Sequence, residues 1–425
     1  MVIAVIVFFA AALRLFKLGQ FPPGLYLDEV LYGLDAYSII NTGKDIYGHF
    51  LPLAFQSSGY YPPLFTYILA PLFLVLPLTA WVVRFLAAIS GILSVVFIYL
   101  LTKKLFENCK LKIENLSALL LAFLPWHIHL SRVAFLGSFG IAFLIFASYL
   151  FLQNHITLSL IVFALSTHIH YSYKLLAPSL FLILLLLYRR RLNYLNYLII
   201  LVTLFSHFIS IRYYNALFRV SELSLARLPQ ITFEYFQAFS PRFLFISGDH
   251  NPLLNPWGRG QLPLIFIPLL ILGFYQLRYL KVSSRLLILS WLLLAPLPSA
   301  LAGQGAHAVR NSPMLIPLIL IAAPGITTIF SKHKLAGFLV IGLVIVNSLS
   351  FLRFYTRDYP AISTQLWGQS QRDFVNHLDS SQPVTIPDKF YVNLAYYAFE
   401  FRLDPRQLQQ AIVTRRLGNL YFADQ

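Results

Sequence analysis

Long apolar segments separated by short clusters of lysine and arginine restrict this chain more than any other feature of its sequence. A bilayer crossing takes roughly 17–25 apolar residues, and eleven candidates fall at about 2–16, 82–102, 115–131, 134–152, 156–171, 174–188, 194–211, 262–277, 286–301, 312–330 and 335–352. Hydrophobic residues make up 58% of the 425 and charged ones 11%, where an ordinary globular domain carries about 25% charged. A water-soluble fold could not cover so much apolar surface, and disorder, collagen or a nucleic-acid-binding tail would each need a far more polar chain. The expectation is an all-α polytopic membrane protein, kinked where Pro313, Pro317 and Pro324 interrupt a span.

The formal charge of +16 is therefore read loop by loop and is no signal for nucleic acid. Lys103, Lys104, Lys110 and Lys112, then Arg189, Arg190 and Arg191, then Arg278, Lys281 and Arg285, then Lys332 and Lys334 fall on every second connection, with Glu107 and Glu114 as their only acids. By the positive-inside rule all four connections face the cytoplasm. Met1 is then inside, everything after Phe351 is outside, and the remaining acids lie outside with none in a span core. The apolar stretch Met1 to Leu13 has no basic residue ahead of it and no small-residue cleavage site behind it, so it reads as a retained first span and not a signal peptide. A single cysteine, Cys109, excludes a disulfide framework and any cysteine-based metal site.

Counting residues 63–80 as a further span would put every basic connection on the wrong side, so they read as a helix lying in or dipping into the outer interface. The expected plan is a transmembrane domain over 1–352 with a long first outer loop at 17–81 and a second at 213–261. The polar segment 353–425, with seven of the sixteen acids, is expected to form a small α/β cap outside the membrane. No internal repeat is visible, which counts against an inverted-repeat transporter.

Chemistry concentrates on the outer side. Asp28 and Glu29 follow the first span and are flanked by Leu25, Tyr26, Leu27, Val30, Leu31 and Tyr32. A solvated helix cap is the plain reading, but a carboxylate at an apolar interface holds its proton more tightly and can act as a general base. Nine of eleven histidines also fall outside or at outer span ends, among them His127, His129, His170 and His307. His-x-His on a helix points to different faces, so interfacial hydrogen bonding is favoured over a metal site, and a divalent metal is left open. Arg84, Arg132, Lys174, Arg259 and Arg310 share the outer side against the positive-inside trend. Singly each fits a snorkelling side chain; converging above an apolar bundle they would hold a phosphate. The loop from Ser247 to Gln261, with Asp249 and Arg259, has turn chemistry and neither Walker nor dinucleotide glycine spacing. An outer carboxylate, a basic rim and an apolar bundle suit an enzyme whose donor is a sugar on a polyprenyl phosphate. Its leaving group is an anion that needs cations and no general acid, whereas a glycosidase needs two carboxylates flanking the bond.

The stretch Asp28-Glu29 through Gly33-Leu34-Asp35-Ala36-Tyr37, the element Tyr61-Pro62-Pro63-Leu64 and Val83-Arg84-Phe85 resemble the membrane glycosyltransferases of the C superfamily, such as protein O-mannosyltransferases and lipid A aminoarabinose transferases. Pro125 to Arg132, Ser247 to Gln261 and His307-Ala308-Val309-Arg310 are similar to a bacterial subgroup of that family, so the likeness covers most of the chain. The resemblance implies an inverting transfer from a polyprenyl-phosphate sugar with Asp28 as catalytic base. Two positions depart from the family pattern. Tyr61 stands where His or Lys is common, which removes one candidate phosphate contact, and Leu136 stands where an acid is usual.

The reading is a hexosyl- or pentosyltransferase of the cytoplasmic membrane, active on its outer face, with Asp28 and Glu29 as catalytic residues and Arg84, Arg132, Lys174 and Arg310 at the donor phosphate. Tyr61, His127, His129, His170, Asp249, Arg259 and His307 are substrate-binding candidates, and the acceptor is a glycan, a lipid or a protein. A transporter or flippase of lipid-linked sugars is the alternative and a polysaccharide polymerase a third reading; a transporter should carry ionisable groups at the midplane. The loop charges put Cys109 inside. In sealed right-side-out vesicles an impermeant maleimide should leave it unlabelled until permeabilisation, and earlier labelling would invert the topology.

Overall fold

Proline and glycine, more than apolar length, decide where the helices of this chain stop and how closely they approach. The computed structural model describes residues 1–57, 59–107, 113–214, 225–379, 381–388 and 391–423. Cys109, Lys110, Lys112 and residues 215–224 of the second outer loop lie outside the described residues.

The chain opens with α1 (Val2–Leu15) and α2 (Leu27–Thr42), followed by the antiparallel pair β1 (Phe55–Gln56) and β2 (Tyr60–Tyr61) and by α3 (Leu64–Leu69). A bundle follows: α4 (Ala80–Leu105), α5 (Ile113–Phe123), α6 (Pro125–Arg132), α7 (Gly137–Leu152), α8 (Ile156–Ser166), α9 (Tyr171–Tyr188) and α10 (Tyr194–Tyr214). After α11 (Leu228–Gln237) come α12 (Phe266–Gln276), α13 (Val282–Leu294), α14 (Leu297–Leu301), α15 (Leu315–Lys332) and α16 (Lys334–Arg357). The polar tail holds α17 (Tyr359–Ser363), α18 (Gln369–Asn376), β3 (Val384–Pro387), α19 (Val392–Glu400), α20 (Pro405–Thr414), β4 (Arg416–Leu417) and β5 (Leu420–Ala423). Its three strands form one sheet in the order β3-β5-β4, with β3 parallel and β4 antiparallel to β5.

Each of the eleven expected spans corresponds to helix, but not all are long enough alone. Among the described residues six helices have the length and apolar content to cross a bilayer: Ala80–Leu105, Tyr171–Tyr188, Tyr194–Arg212, Val282–Leu301, Ser312–Lys332 and Lys334–Arg357. The pair α6 and α7 reaches that length and apolar content only together and is bent by 110°, as in a broken span or a re-entrant loop. The expected continuous span at 115–131 is corrected here, because the helix breaks between α5 and α6. Pro125 has no N–H for the ladder of α5 and holds Leu124 extended at φ −78°, ψ 119°, so α6 starts afresh. Residues 63–80 form α3 and a short 3-10 turn over Ala70–Leu74, too short to cross.

Close approach marks the centre of the bundle. A Cβ added at Gly273 on α12 would lie 1.7 Å from the carbonyl oxygen of Ile321, and one at Gly325 on α15 would lie 2.2 Å from that of Leu269. Two glycines facing each other's backbone are how helices pack where lipid provides no hydrophobic drive. Gly273→Val should therefore force α12 and α15 apart and lower stability by about 1–3 kcal/mol or more, read as thermal unfolding in detergent. Gly342→Val on α16, where an added Cβ meets nothing within 4 Å, is the control expected to change little.

Candidate active site

The site is built where the first helix ends and the second begins. Tyr26 is extended at φ −68°, ψ 151°, and its N–H donates to Oε2 of Glu29 at 3.2 Å, which starts α2. Consecutive residues on a helix diverge by about 100°, so Asp28 and Glu29 point different ways.

Glu29 is fully buried and accepts Nε of Arg84 on Oε1 and Nη2 on Oε2, both at 2.9 Å. The backbone N–H of Ala134 donates to the same Oε1 at 3.0 Å. Arg84, equally buried, also donates to the carbonyls of Pro22 and Gly24 at 2.9 and 2.7 Å and faces the Trp367 ring at 5.5 Å. Glu29 thus stands in the protein frame, its oxygens turned to Arg84 and to backbone N–H groups, and Arg84 is spent on protein acceptors.

Asp28 turns into a cavity of about 330 Å³. Its carboxylate has no hydrogen bond to any described residue, and burial, reinforced by the Glu29 charge, pushes its pKa up to about 6. Tyr26, Tyr32, Tyr60, Tyr61 and Tyr171 share the wall, with Leu136, Asn251, Gln304, His170, His307 and Arg310. Asp28 is the one acid of this lining and Arg310 the one Lys or Arg. His170 Nδ1 accepts the N–H of Ser172 at 3.2 Å and starts α9; His307 Nδ1 accepts the N–H of Arg310 at 3.3 Å and shapes the turn that presents it. These segments come from both expected outer loops and from outer span ends.

Tyr61 also lines the cavity, and its hydroxyl donates a short hydrogen bond to Asp35, whose other oxygen accepts the N–H of Ile46 at 3.0 Å. Asp35 is fully buried, and burial pushes it up to about 8. Leu136, which also lines the cavity, has φ +66° at the start of α7. With Phe135 beside it, Leu136 makes that part of the wall apolar.

The other expected contacts lie elsewhere. Arg132 is buried and caps the end of α1, donating to the carbonyls of Leu13, Phe16 and Phe21 at 3.0, 2.9 and 3.1 Å. His127 Nδ1 is 2.8 Å from Nη2 of Arg14, and His129 bridges the Tyr355 hydroxyl at 3.1 Å and the carbonyl of Leu253 at 2.8 Å. Lys174 is 3.1 Å from Nδ1 of His207. Asp249 accepts the N–H of Ala308 at 2.7 Å and that of Asn251 at 2.9 Å, tying the second outer loop to the Arg310 turn. Arg259 stacks on Trp257 at 4.2 Å and lines a different groove. None of these six lines the cavity; each is turned to a partner within the protein. Of the cavity wall, Tyr61 was singled out in the sequence, whereas Tyr26, Tyr32, Tyr60, Tyr171, Asn251 and Gln304 were not, although Tyr26 and Tyr32 flank Asp28 there. Among the described residues no three His, Cys, Asp or Glu side chains come together as metal ligands.

No protein-family model matches the chain, and no curated protein matches it by sequence. Solved structures do. ArnT from Cupriavidus metallidurans bound to undecaprenyl phosphate superimposes with a TM-score of 0.63 at 12% identity, covering 99% of this chain and 89% of that one. The Archaeoglobus fulgidus oligosaccharyltransferase tethered with an acceptor peptide gives 0.52 at 14% identity, covering 94% of this chain and 63% of that one. AglB of the same organism, in complex with an inhibitory peptide and a dolichol-phosphate, gives 0.50 at 13% identity over 89% and 58%. At such identities the likeness is one of fold. The apolar helices are those of a multi-pass membrane protein, and its fold is shared with ArnT, in keeping with the fold the first-loop resemblance implied.

Removing one partner of a buried ion pair costs about 3–5 kcal/mol. Glu29→Gln should therefore unfold well below the parent in detergent, while Asp28→Asn, facing the cavity, should not. Equal melting of parent and Glu29→Gln would contradict the assignment.

Proposed function

We propose that this protein transfers a sugar from a polyprenyl-phosphate donor to a hydroxyl of a glycan, lipid or protein acceptor on the outer face of the cytoplasmic membrane, with inversion. The observation that carries the reading is one cavity that holds a carboxylate poised near pH 6 and a single guanidinium, Asp28 and Arg310. The fold it shares with proteins solved with undecaprenyl phosphate and dolichol-phosphate supports the same donor class. No observation favours transport.

The acceptor O–H faces Asp28. As its oxygen bonds to the anomeric carbon, the bond from that carbon to the phosphate oxygen breaks, Asp28 takes the proton, and polyprenyl phosphate departs as an anion against Arg310. The tyrosines supply hydroxyls and ring faces for the sugar, and His170 and His307 shape the segments that line it. Glu29, Arg84 and Arg132 position the cavity without touching substrate.

In the proposed topology the eleven helical segments all cross, with α1, α5, α8 and α12 lengthened by flanking apolar residues. Residues 1–352 are then the transferase domain, 17–81 and 213–261 its outer loops, and 353–425 an outer cap. Support for the cap comes from its docking on α2: the Tyr396 hydroxyl donates to the carbonyl of Leu25 at 2.9 Å and Gln409 Nε2 to that of Asp45 at 2.9 Å.

Purified protein given a panel of polyprenyl-phosphate sugars should release free polyprenyl phosphate. Asp28→Asn should lose about 10²–10⁴ in rate and keep donor binding, whereas Arg310→Ala should weaken donor use by about 2–4 kcal/mol. Release by Asp28→Asn at the parental rate, or no turnover with any donor, would contradict the proposal.

A further inference from the structure

A second basic site lies away from the cavity. Between the outer ends of α1 and α16 runs an open groove of about 640 Å³, walled by Leu13, Phe16, Leu352, Arg353 and Arg357, with Arg132 also in its lining. Both helices pack on α5 and α6. Arg353 and Arg357 are one helical turn apart and so share a face. Both are exposed, and neither side chain makes a hydrogen bond or ion pair to a described residue. The lining holds no acid. Arg132 adds charge to the floor but donates its own hydrogen bonds to the end of α1, so only the two α16 arginines are left to meet a ligand.

One to two helical turns toward the middle of each helix, Val5, Phe8 and Phe9 on α1 and Val346 and Leu349 on α16 are exposed apolar side chains. Two unspent guanidiniums over an apolar track complement a phosphate that carries acyl chains. We propose that this groove binds an anionic phospholipid of the outer leaflet, its phosphate against Arg353 and Arg357 and its chains along α1 and α16. The lipid is not the donor, because the groove shares no lining residue with the cavity that holds Asp28 and Arg310. Plain snorkelling would leave the two arginines indifferent to lipid charge. The inference rests on the outer placement of these helix ends and not on glycosyl transfer, so its test requires no turnover.

The full chain, purified in detergent, is titrated with phosphatidylglycerol or phosphatidylcholine of the same chains, and bound lipid is counted by native mass spectrometry. Phosphatidylglycerol should be retained about tenfold better, the Arg353→Gln/Arg357→Gln double variant should lose that preference, and Arg353→Lys/Arg357→Lys should restore part of it. Asp28→Asn should bind phosphatidylglycerol like the parent. Should the double glutamine variant misfold, Arg357→Gln alone is expected to lose part of the preference. Equal retention of the two lipids by the parent, or an undiminished preference in the glutamine variants, would overturn the proposal. Competition by glycerol phosphate would show a free-phosphate site, and one-for-one displacement by polyprenyl phosphate a donor entrance; either result also overturns it.

Discussion

The ion pair between Glu29 and Arg84 holds the site together. Two opposite charges taken fully out of water are stable only when geometry is good and the remaining lone pairs and N–H groups are satisfied. Here the pairing is bidentate, the other acceptor capacity of Glu29 takes the N–H groups of Tyr26 and Ala134, and Arg84 finds the carbonyls of Pro22 and Gly24. Five separate stretches of chain are thereby tied to one point: the approach to α2, α2 itself, α4, the connection from α6 to α7 and, through Trp367, the tail. With Glu29 turned inward, helical geometry leaves its neighbour Asp28 facing the cavity.

Other buried cations repeat this use of charge. Arg132 draws together carbonyls at the end of α1, where the helix dipole is negative, and Arg14 donates to the carbonyls of Ala122 and Leu121 at 3.1 and 3.3 Å. In a membrane interior an unpaired carbonyl is costly, and arginine, with five donors, can close several at once. These bonds tie the C-terminal end of α1 to α5 and α6. The cavity that holds Asp28 and Arg310 is suspended from that frame.

Much of this architecture was legible in the sequence. Apolar length located the helices, and the apolar setting of Asp28 singled out the one acid that lines the cavity. What could not be read was the direction of each side chain. Arg84, Arg132 and Arg310 look alike as outer cations in a sequence, yet two close backbone carbonyls and one lines the cavity. His127 and His129 likewise turn to Arg14 and to Tyr355. The break before Pro125 was readable from proline chemistry, but the apolar run around it masked the stop. Docking of the tail on α2 joins residues more than 360 positions apart, a separation no local pattern encodes.

The central claim is that Asp28 accepts the acceptor's proton with a pKa raised by its buried setting. The most direct measurement is the pH dependence of single-turnover sugar transfer from pre-bound donor. A base must be ionised to act, so the rate should rise with pH through a limb near 6 and level off above it, and Asp28→Asn should be slow and lack that limb. A limb at the ordinary carboxylate value near 4, about two units lower, or a profile unchanged in Asp28→Asn, would contradict the account.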